Sequence, residues 1–154
     1  MKKYFAFVKE HGPFVLDLLV SVTVVAITTW SSGQTAAVSG GASKGIVNWF
    51  LSYLPGVYTQ DTVAFLDHLL RKTAHFTLYF ILGFSLTGCY QSQSRVPPAL
   101  AALLTGAALA GLDEFHQNFV DGRGPMLSDV FLDTCGVAAG CLLRTVLHKI
   151  KSTR

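Results

Sequence analysis

The chain has 154 residues, 51% of them hydrophobic and only 14% charged, and its mean hydropathy is +0.44. A soluble domain carries about 25% charged residues, so the composition excludes an ordinary water-exposed globule and points to one polytopic membrane domain. The net charge of +3 is small, and no basic run interleaved with aromatics gives the footprint of a nucleic-acid binder.

The apolar run 14–30 follows a basic start, KKYFAFVKEHG. A secretory signal has the same outline, but the rest of the chain is equally hydrophobic, so an uncleaved first span is expected. Asp17 would reach the interface or pair with Lys9, and Trp30 would settle at the opposite interface. Residues 31–45, SSGQTAAVSGGASKG, are small and polar and read as a loop or re-entrant segment. Residues 46–54 are apolar but too short to cross about 30 Å of hydrocarbon; a short interfacial helix ended by Pro55-Gly56 fits better.

A helix is expected from Asp61, with Asp61 or Thr62 as N-cap, leading into a second span over 74–90. Arg71, His75 and Tyr79 are spaced i, i+4, i+8, and Gly83 extends the row, so a polar stripe descends one helical face. After the polar turn QSQSR, Pro97-Pro98 suits a helix start and opens a third span over 97–112. In that span Ala102, Gly106 and Ala110 recur every four residues and permit close approach by a neighbour. The fourth span covers about 126–147 and contains the G-x-x-x-G pair Gly136 and Gly140. The three cysteines, Cys89, Cys135 and Cys141, lie in apolar stretches without metal-site spacing and read as buried thiols.

The expected fold is therefore all-α: one polytopic domain over 1–154, with four transmembrane helices and a short interfacial or re-entrant helix. Basic residues gather at Lys2, Lys3 and Lys9, at Arg95, and at Arg144, Lys149, Lys151 and Arg154. The positive-inside rule then places both termini in the cytoplasm and segments 31–73 and 113–125 outside.

Between the last two spans, Asp113, Glu114, Asp121, Asp129 and Asp133 fall within 21 residues, together with His116 and Arg123. An ionisable group near mid-bilayer costs about 2.5–3.5 kcal/mol, so such a cluster calls for a protein interior or a wet cavity. If the third helix continues through DEFHQ, Asp113, His116 and Gln117 share a face, with Glu114 beside it. Asp129 and Asp133 stand one turn apart and repel unless a cation, an Arg or a shared proton intervenes; Arg71 and Arg123 are the candidate partners. Several readings follow. The cluster is an ion network that locks helices together. It is a divalent-metal site using Asp113, His116, His75 and an acid of the fourth helix, although metalloprotease spacing is absent. Or His116 or Glu114 is a general base acting on a lipid-linked substrate, with Arg123 holding a phosphate. A pocket for an anionic or glycosylated envelope ligand needs the same groups without turnover. There is no G-x-S-x-G elbow and no P-loop. Proton-coupled transport is disfavoured because four short spans would have to oligomerise to build a pathway.

The series SSGQ with Ser39 and Ser43, RKTAHFTLYFILGF, and DEFHQNFVDGR…SDVFLDTCG resembles the VanZ-like family of small bacterial membrane proteins. The likeness runs through residues 28–145, and family positions fall on Arg71, His75, Tyr79, Asp113, Glu114, His116, Gln117, Arg123 and Asp129. The chain departs from the common pattern at Leu78, where many members have Glu, and at Asp121-Gly122, often Pro-Gly; Asp133 stands where Asn is frequent. The resemblance implies a cell-membrane protein that lowers susceptibility to teicoplanin-type lipoglycopeptides. It would bind or alter a drug, a membrane lipid or a lipid-linked cell-wall precursor. No particular reaction or cofactor is implied.

Overall fold

The computed structural model describes residues 2–91 and 95–153, with side chains from residue 11 onward. Its helices are α1 (Lys2–Ser32), α2 (Ala36–Leu51), α3 (Gln60–Gln91), α4 (Pro98–Gln117) and α5 (Leu127–Ser152), and no strand occurs among the described residues. The QSQSR turn falls largely on residues 92–94, outside the described residues.

Two local expectations change. The Gly/Ser-rich stretch is not a loop: residues 36–51 form one helix, which absorbs both the supposed loop and much of the short apolar segment. Each interior glycine costs about 1 kcal/mol relative to Ala, and nothing lies within 4 Å of where a Cβ on Gly40, Gly41 or Gly45 would be. Docking offsets that cost. Ser43, Val47 and Leu51, spaced i, i+4, i+8, bury one face of the helix, and Thr35 caps its start by accepting the Val38 N–H at 3.5 Å. In α3, the cap is Thr59, whose Oγ1 accepts the Thr62 N–H at 3.3 Å, ahead of the expected Asp61 or Thr62. Pro98 occupies the first turn of α4, as its spacing predicted.

Three helical stretches are long and apolar enough to cross a membrane: His11–Ser32, Pro98–Gln117 and Leu127–Ser152. The expected fourth, in α3, is not among them. The reason is compositional, because His75, Thr77, Tyr79, Ser85 and Thr87 dilute its hydropathy. Its position explains why this is tolerated: α3 packs against all four other helices. Its buried Ser and Thr hydroxyls are satisfied within the helix, Ser85 donating to the Ile81 carbonyl at 2.9 Å and Thr87 to the Gly83 carbonyl at 2.8 Å.

The seam between α3 and α5 is backbone on backbone. A Cβ on Gly83 would strike the Val137 carbonyl, one on Gly140 the Phe80 carbonyl, and one on Gly136 would sit 2.6 Å from the Phe76 carbonyl. Val137, fully buried, also fills the notch at Gly106 of α4. The order of these contacts, with Lys72 beside Asp129 and Phe80 beside Gly140, makes α3 and α5 parallel. Tyr90 bonds Thr105 at 2.9 Å near the start of α4, and Asp17 of α1 lies against Gly88, so α1 and α4 run the opposite way. Ser32, the end of α4 and the start of α5 thus meet at one end of the bundle.

At the opposite end Asp17 is paired with Arg144 of α5 at 2.6 Å and 3.3 Å, and the guanidinium lies 4.8 Å from the Phe84 ring. The expected partner Lys9 lies outside the described side chains. Gly88 makes room for the pair, since a Cβ there would displace both side chains.

Two measurements test this packing. Gly140→Ala should destabilise detergent-solubilised protein by about 1–3 kcal/mol, the range for overpacking, whereas Gly111→Ala, which meets nothing within 4 Å, should be neutral or stabilising. Arg144→Met should cost about 3 kcal/mol by stranding a buried carboxylate, and the double change Asp17→Leu/Arg144→Met should recover most of it; denaturant unfolding checks both.

Candidate functional site

The end of the bundle where Ser32, α4 and α5 meet holds every acidic side chain but Asp17 among the described side chains. The α3 row Arg71, His75, Tyr79 runs from solvent into the core: side-chain exposure falls from 43% at Arg71 to 24% at His75, and Tyr79 is fully buried. Asp67 begins the row one turn earlier and is itself buried, paired with Arg71 at 2.9 Å and accepting from the Ser43 hydroxyl of α2.

On α4, Asp113 and Glu114 are both buried. Asp113 accepts from the Ser32 hydroxyl at 2.7 Å, which closes α1 onto α4. Glu114 accepts from the Gln117 amide at 3.1 Å and from the Met126 backbone N–H at 2.9 Å, so it fixes the turn into α5. That turn needs Gly122, whose φ of 74° is left-handed. Arg123, next in the chain, reaches the Gln117 side-chain oxygen and the Ser31 carbonyl, each at 3.5 Å. Partial burial, and after it the nearby Arg71 charge, holds the Arg123 pKa below its ordinary value.

On α5, Asp129 is paired with Lys72, and Asp133 faces His75, Oδ2 to Nδ1, at 3.4 Å. Asp133 is 1% exposed, and its Oδ1 has no hydrogen-bond partner among the described residues. A buried carboxylate oxygen left this way is costly, and such groups concentrate where a protein holds a ligand or transfers a proton.

A cavity of about 210 Å³ opens between α1, α3 and α4. Its polar lining is Asp113, His116, Tyr79, Thr28 and Thr29; its apolar wall is Val25, Leu82, Leu109 and Leu112. No group of three or more His, Cys, Asp or Glu side chains is placed to hold one metal ion among the described residues. Their carboxylates are distributed over separate partners: Ser32, Gln117, Lys72 and His75.

Residues 17–148, most of the chain, match the VanZ/LLP1 family. The chain belongs to that family. Membership associates it with glycopeptide resistance at the level of the family. Comparisons with curated proteins and with solved structures gave no match.

Within this family member the expected site residues do gather, but with different partners. Arg71 and Arg123 do not pair with Asp129 and Asp133; Lys72 and His75 face them instead, because the parallel α3–α5 seam sets those two pairs at the same level. His116 separates from Asp113, Glu114 and Gln117 in burial, those three being buried while His116 is exposed at the cavity. Asp67, Ser32, Ser43 and Lys72 were not read from the sequence as site residues. Asp67 was accessible to that reading, since it precedes Arg71 by four residues on the same row. The other three depend on contacts between helices that no spacing encodes.

Ser43→Ala tests the α2 anchor. Loss of a hydrogen bond to a charged acceptor costs about 1.5–3 kcal/mol, so hydrogen exchange should quicken in α2 while the α3–α5 seam keeps its protection.

Proposed function

We propose that this protein acts at the cell envelope, holding the junction between the polar head and the apolar tail of a lipid-bearing ligand at the cavity beside His116. That ligand is a lipoglycopeptide of the teicoplanin type or a lipid-linked cell-wall precursor, and its capture or alteration lowers susceptibility to the drug. The supporting observation is the cavity's two-sided lining: acid, imidazole and hydroxyl on one side, and Val25, Leu82, Leu109 and Leu112 on the other. A ligand that is polar at one end and hydrocarbon at the other matches both parts, and apolar walls with few placed polar groups are the usual character of binding pockets.

In this reading α3 crosses the membrane with the three apolar helices, screened by them, and the polar end faces outward. Arg95, Arg144, Lys149 and Lys151 lie toward the opposite end of the bundle, which supports a cytoplasmic position for that end under the positive-inside rule.

A second reading, hydrolysis or group transfer on the lipid-linked ligand, is favoured by one observation. His75 faces a buried carboxylate through Nδ1. That arrangement orients an imidazole and leaves Nε2 available for proton transfer, and Asp113 with its Ser32 partner lies close by. In this reading His75, rather than His116 or Glu114, is the general base. Turnover would then disappear in His75→Gln while ligand binding persisted; loss of both together supports binding alone.

The test is teicoplanin and vancomycin susceptibility of a Gram-positive host expressing the wild type, His116→Ala or Leu109→Trp at equal membrane abundance. Wild type should protect against teicoplanin, whose acyl chain suits the apolar wall, more than against vancomycin. Removing the His116 contact should weaken ligand affinity roughly tenfold, about 1.4 kcal/mol, and Leu109→Trp should abolish protection by filling the cavity. Equal protection by all three proteins, or none from the wild type, rules the reading out.

A further inference from the structure

Among the described side chains the buried carboxylates are those of Asp17, Asp67, Asp113, Glu114 and Asp133. Three of them face a nitrogen that is or can become cationic: Arg144 for Asp17 at 2.6 Å, Arg71 for Asp67 at 2.9 Å and His75 for Asp133 at 3.4 Å. Glu114 accepts from the Met126 backbone N–H at 2.9 Å and from the Gln117 amide at 3.1 Å. Asp113 differs from all four. It is 8% exposed, it accepts from the neutral Ser32 hydroxyl at 2.7 Å, and it makes no ion pair among the described residues. It is also the one carboxylate in the lining of the cavity between α1, α3 and α4.

The rest of that lining favours a guest that donates hydrogen bonds. Ser32 holds Asp113 against α1, and Thr28 stands one turn from Ser32 on the same helix face, in the cavity wall. Thr28 is 4% exposed and commits its hydroxyl hydrogen to carbonyls of its own helix, Val24 at 3.1 Å and Val25 at 3.0 Å. Only its lone pairs remain for a guest. Thr29, Tyr79 and His116 complete the polar lining and can each accept a hydrogen bond, and no Lys or Arg lines the cavity. A carboxylate beside an apolar wall is costly without a counter-charge. One carboxylate with hydroxyl neighbours is too few ligands for a divalent metal, which takes several, but it suits an ammonium group with three N–H donors on a compact charge. Leu109, one turn from Asp113 on α4, continues the wall where a hydrocarbon stem would lie. The volume of about 210 Å³ holds a group of about seven non-hydrogen atoms, at about 30 Å³ for each water-sized unit.

We infer that Asp113 makes this cavity a binding site for a primary ammonium group on a short alkyl stem. The inference rests on the lipid-ligand reading above and specifies the polar group that enters at the head–tail junction of that ligand. The amine belongs either to a lipid head group or to an acylated peptide, and the chemistry of the site is the same for both.

The experiment is calorimetric titration of the full chain in neutral maltoside micelles at pH 7, with the heats of protein-free micelles subtracted. The probes are hexylamine, hexanol and hexanoate, which share one chain and differ in charge. Asp113→Asn removes the charge and keeps an acceptor for the Ser32 hydroxyl. Leu109→Trp fills the cavity. Asp61→Asn, in the exposed first turn of α3, controls for general electrostatics.

Wild type should bind hexylamine saturably and about tenfold or more tighter than hexanol or hexanoate. Asp113→Asn should lower hexylamine to the level of hexanol while hexanol binding persists, Leu109→Trp should abolish binding of both, and Asp61→Asn should change neither. Dihexanoyl phosphatidylethanolamine and N-hexanoyl-lysinamide then compete against hexylamine, and the stronger competitor identifies the source of the amine as lipid or peptide. Wild type that binds hexanol or hexanoate as tightly as hexylamine, or binds no probe, overturns the inference without reference to any variant. So does hexylamine binding that survives Asp113→Asn or falls equally in Asp61→Asn. Protection against teicoplanin without amine selectivity overturns this inference alone. Selective amine binding without protection leaves the ammonium site standing and removes the reading on which its biological role rests.

Discussion

Direct backbone contact between α3 and α5 determines the rest of the arrangement. Gly83, Gly136 and Gly140 leave no room for even a methyl group, because what a Cβ would meet is carbonyl oxygen rather than a movable side chain. Small-residue seams of this kind gain van der Waals contact where hydrophobic driving force between helices is weak. Because the contact is through the main chain, it also fixes register. A slip of one residue would put a Cβ into the opposing backbone, so the level of every α3 side chain against α5 follows from three glycines.

Register in turn sets the electrostatics. Lys72 and Asp129 lie at one level and His75 and Asp133 one turn further in. The two carboxylates of α5, a turn apart, are thereby each given a cationic or cationisable neighbour from α3. The far end follows the same rule: Gly88 clears space for Asp17 and Arg144, tying α1 to α5 across the α3 surface. Intramembrane or buried ion pairs contribute little net stability compared with apolar replacements. Here each of these contacts joins two different helices, α3 to α5 and α1 to α5.

Burial divides the polar residues into two sets. Asp113, Glu114 and Gln117 are inward and engaged with α1 and the α4–α5 turn, whereas His116 is exposed at the cavity, Arg71 is exposed and Arg123 is half-buried. Asp133 stands apart, with one buried oxygen facing His75 and the other without a partner among the described residues. It is the residue where the packing leaves a polar requirement open.

The sequence by itself determined the helical class, the starts of α4 and α5 to within one residue, the descending Arg71–His75–Tyr79 row and membership of the family. These rest on signals that are local in the chain: hydropathy runs, proline and glycine punctuation, and i, i+4 spacing. It misread α2 because glycine and serine content reports propensity, while the helix is held by docking of Ser43, Val47 and Leu51. It overcounted the apolar spans because α3 derives its stability from four neighbours rather than from its own hydropathy. Which cation meets which acid was decided only by tertiary structure. Ion pairs between residues more than fifty positions apart depend on helix register, and register is set where Gly83, Gly136 and Gly140 let two backbones touch.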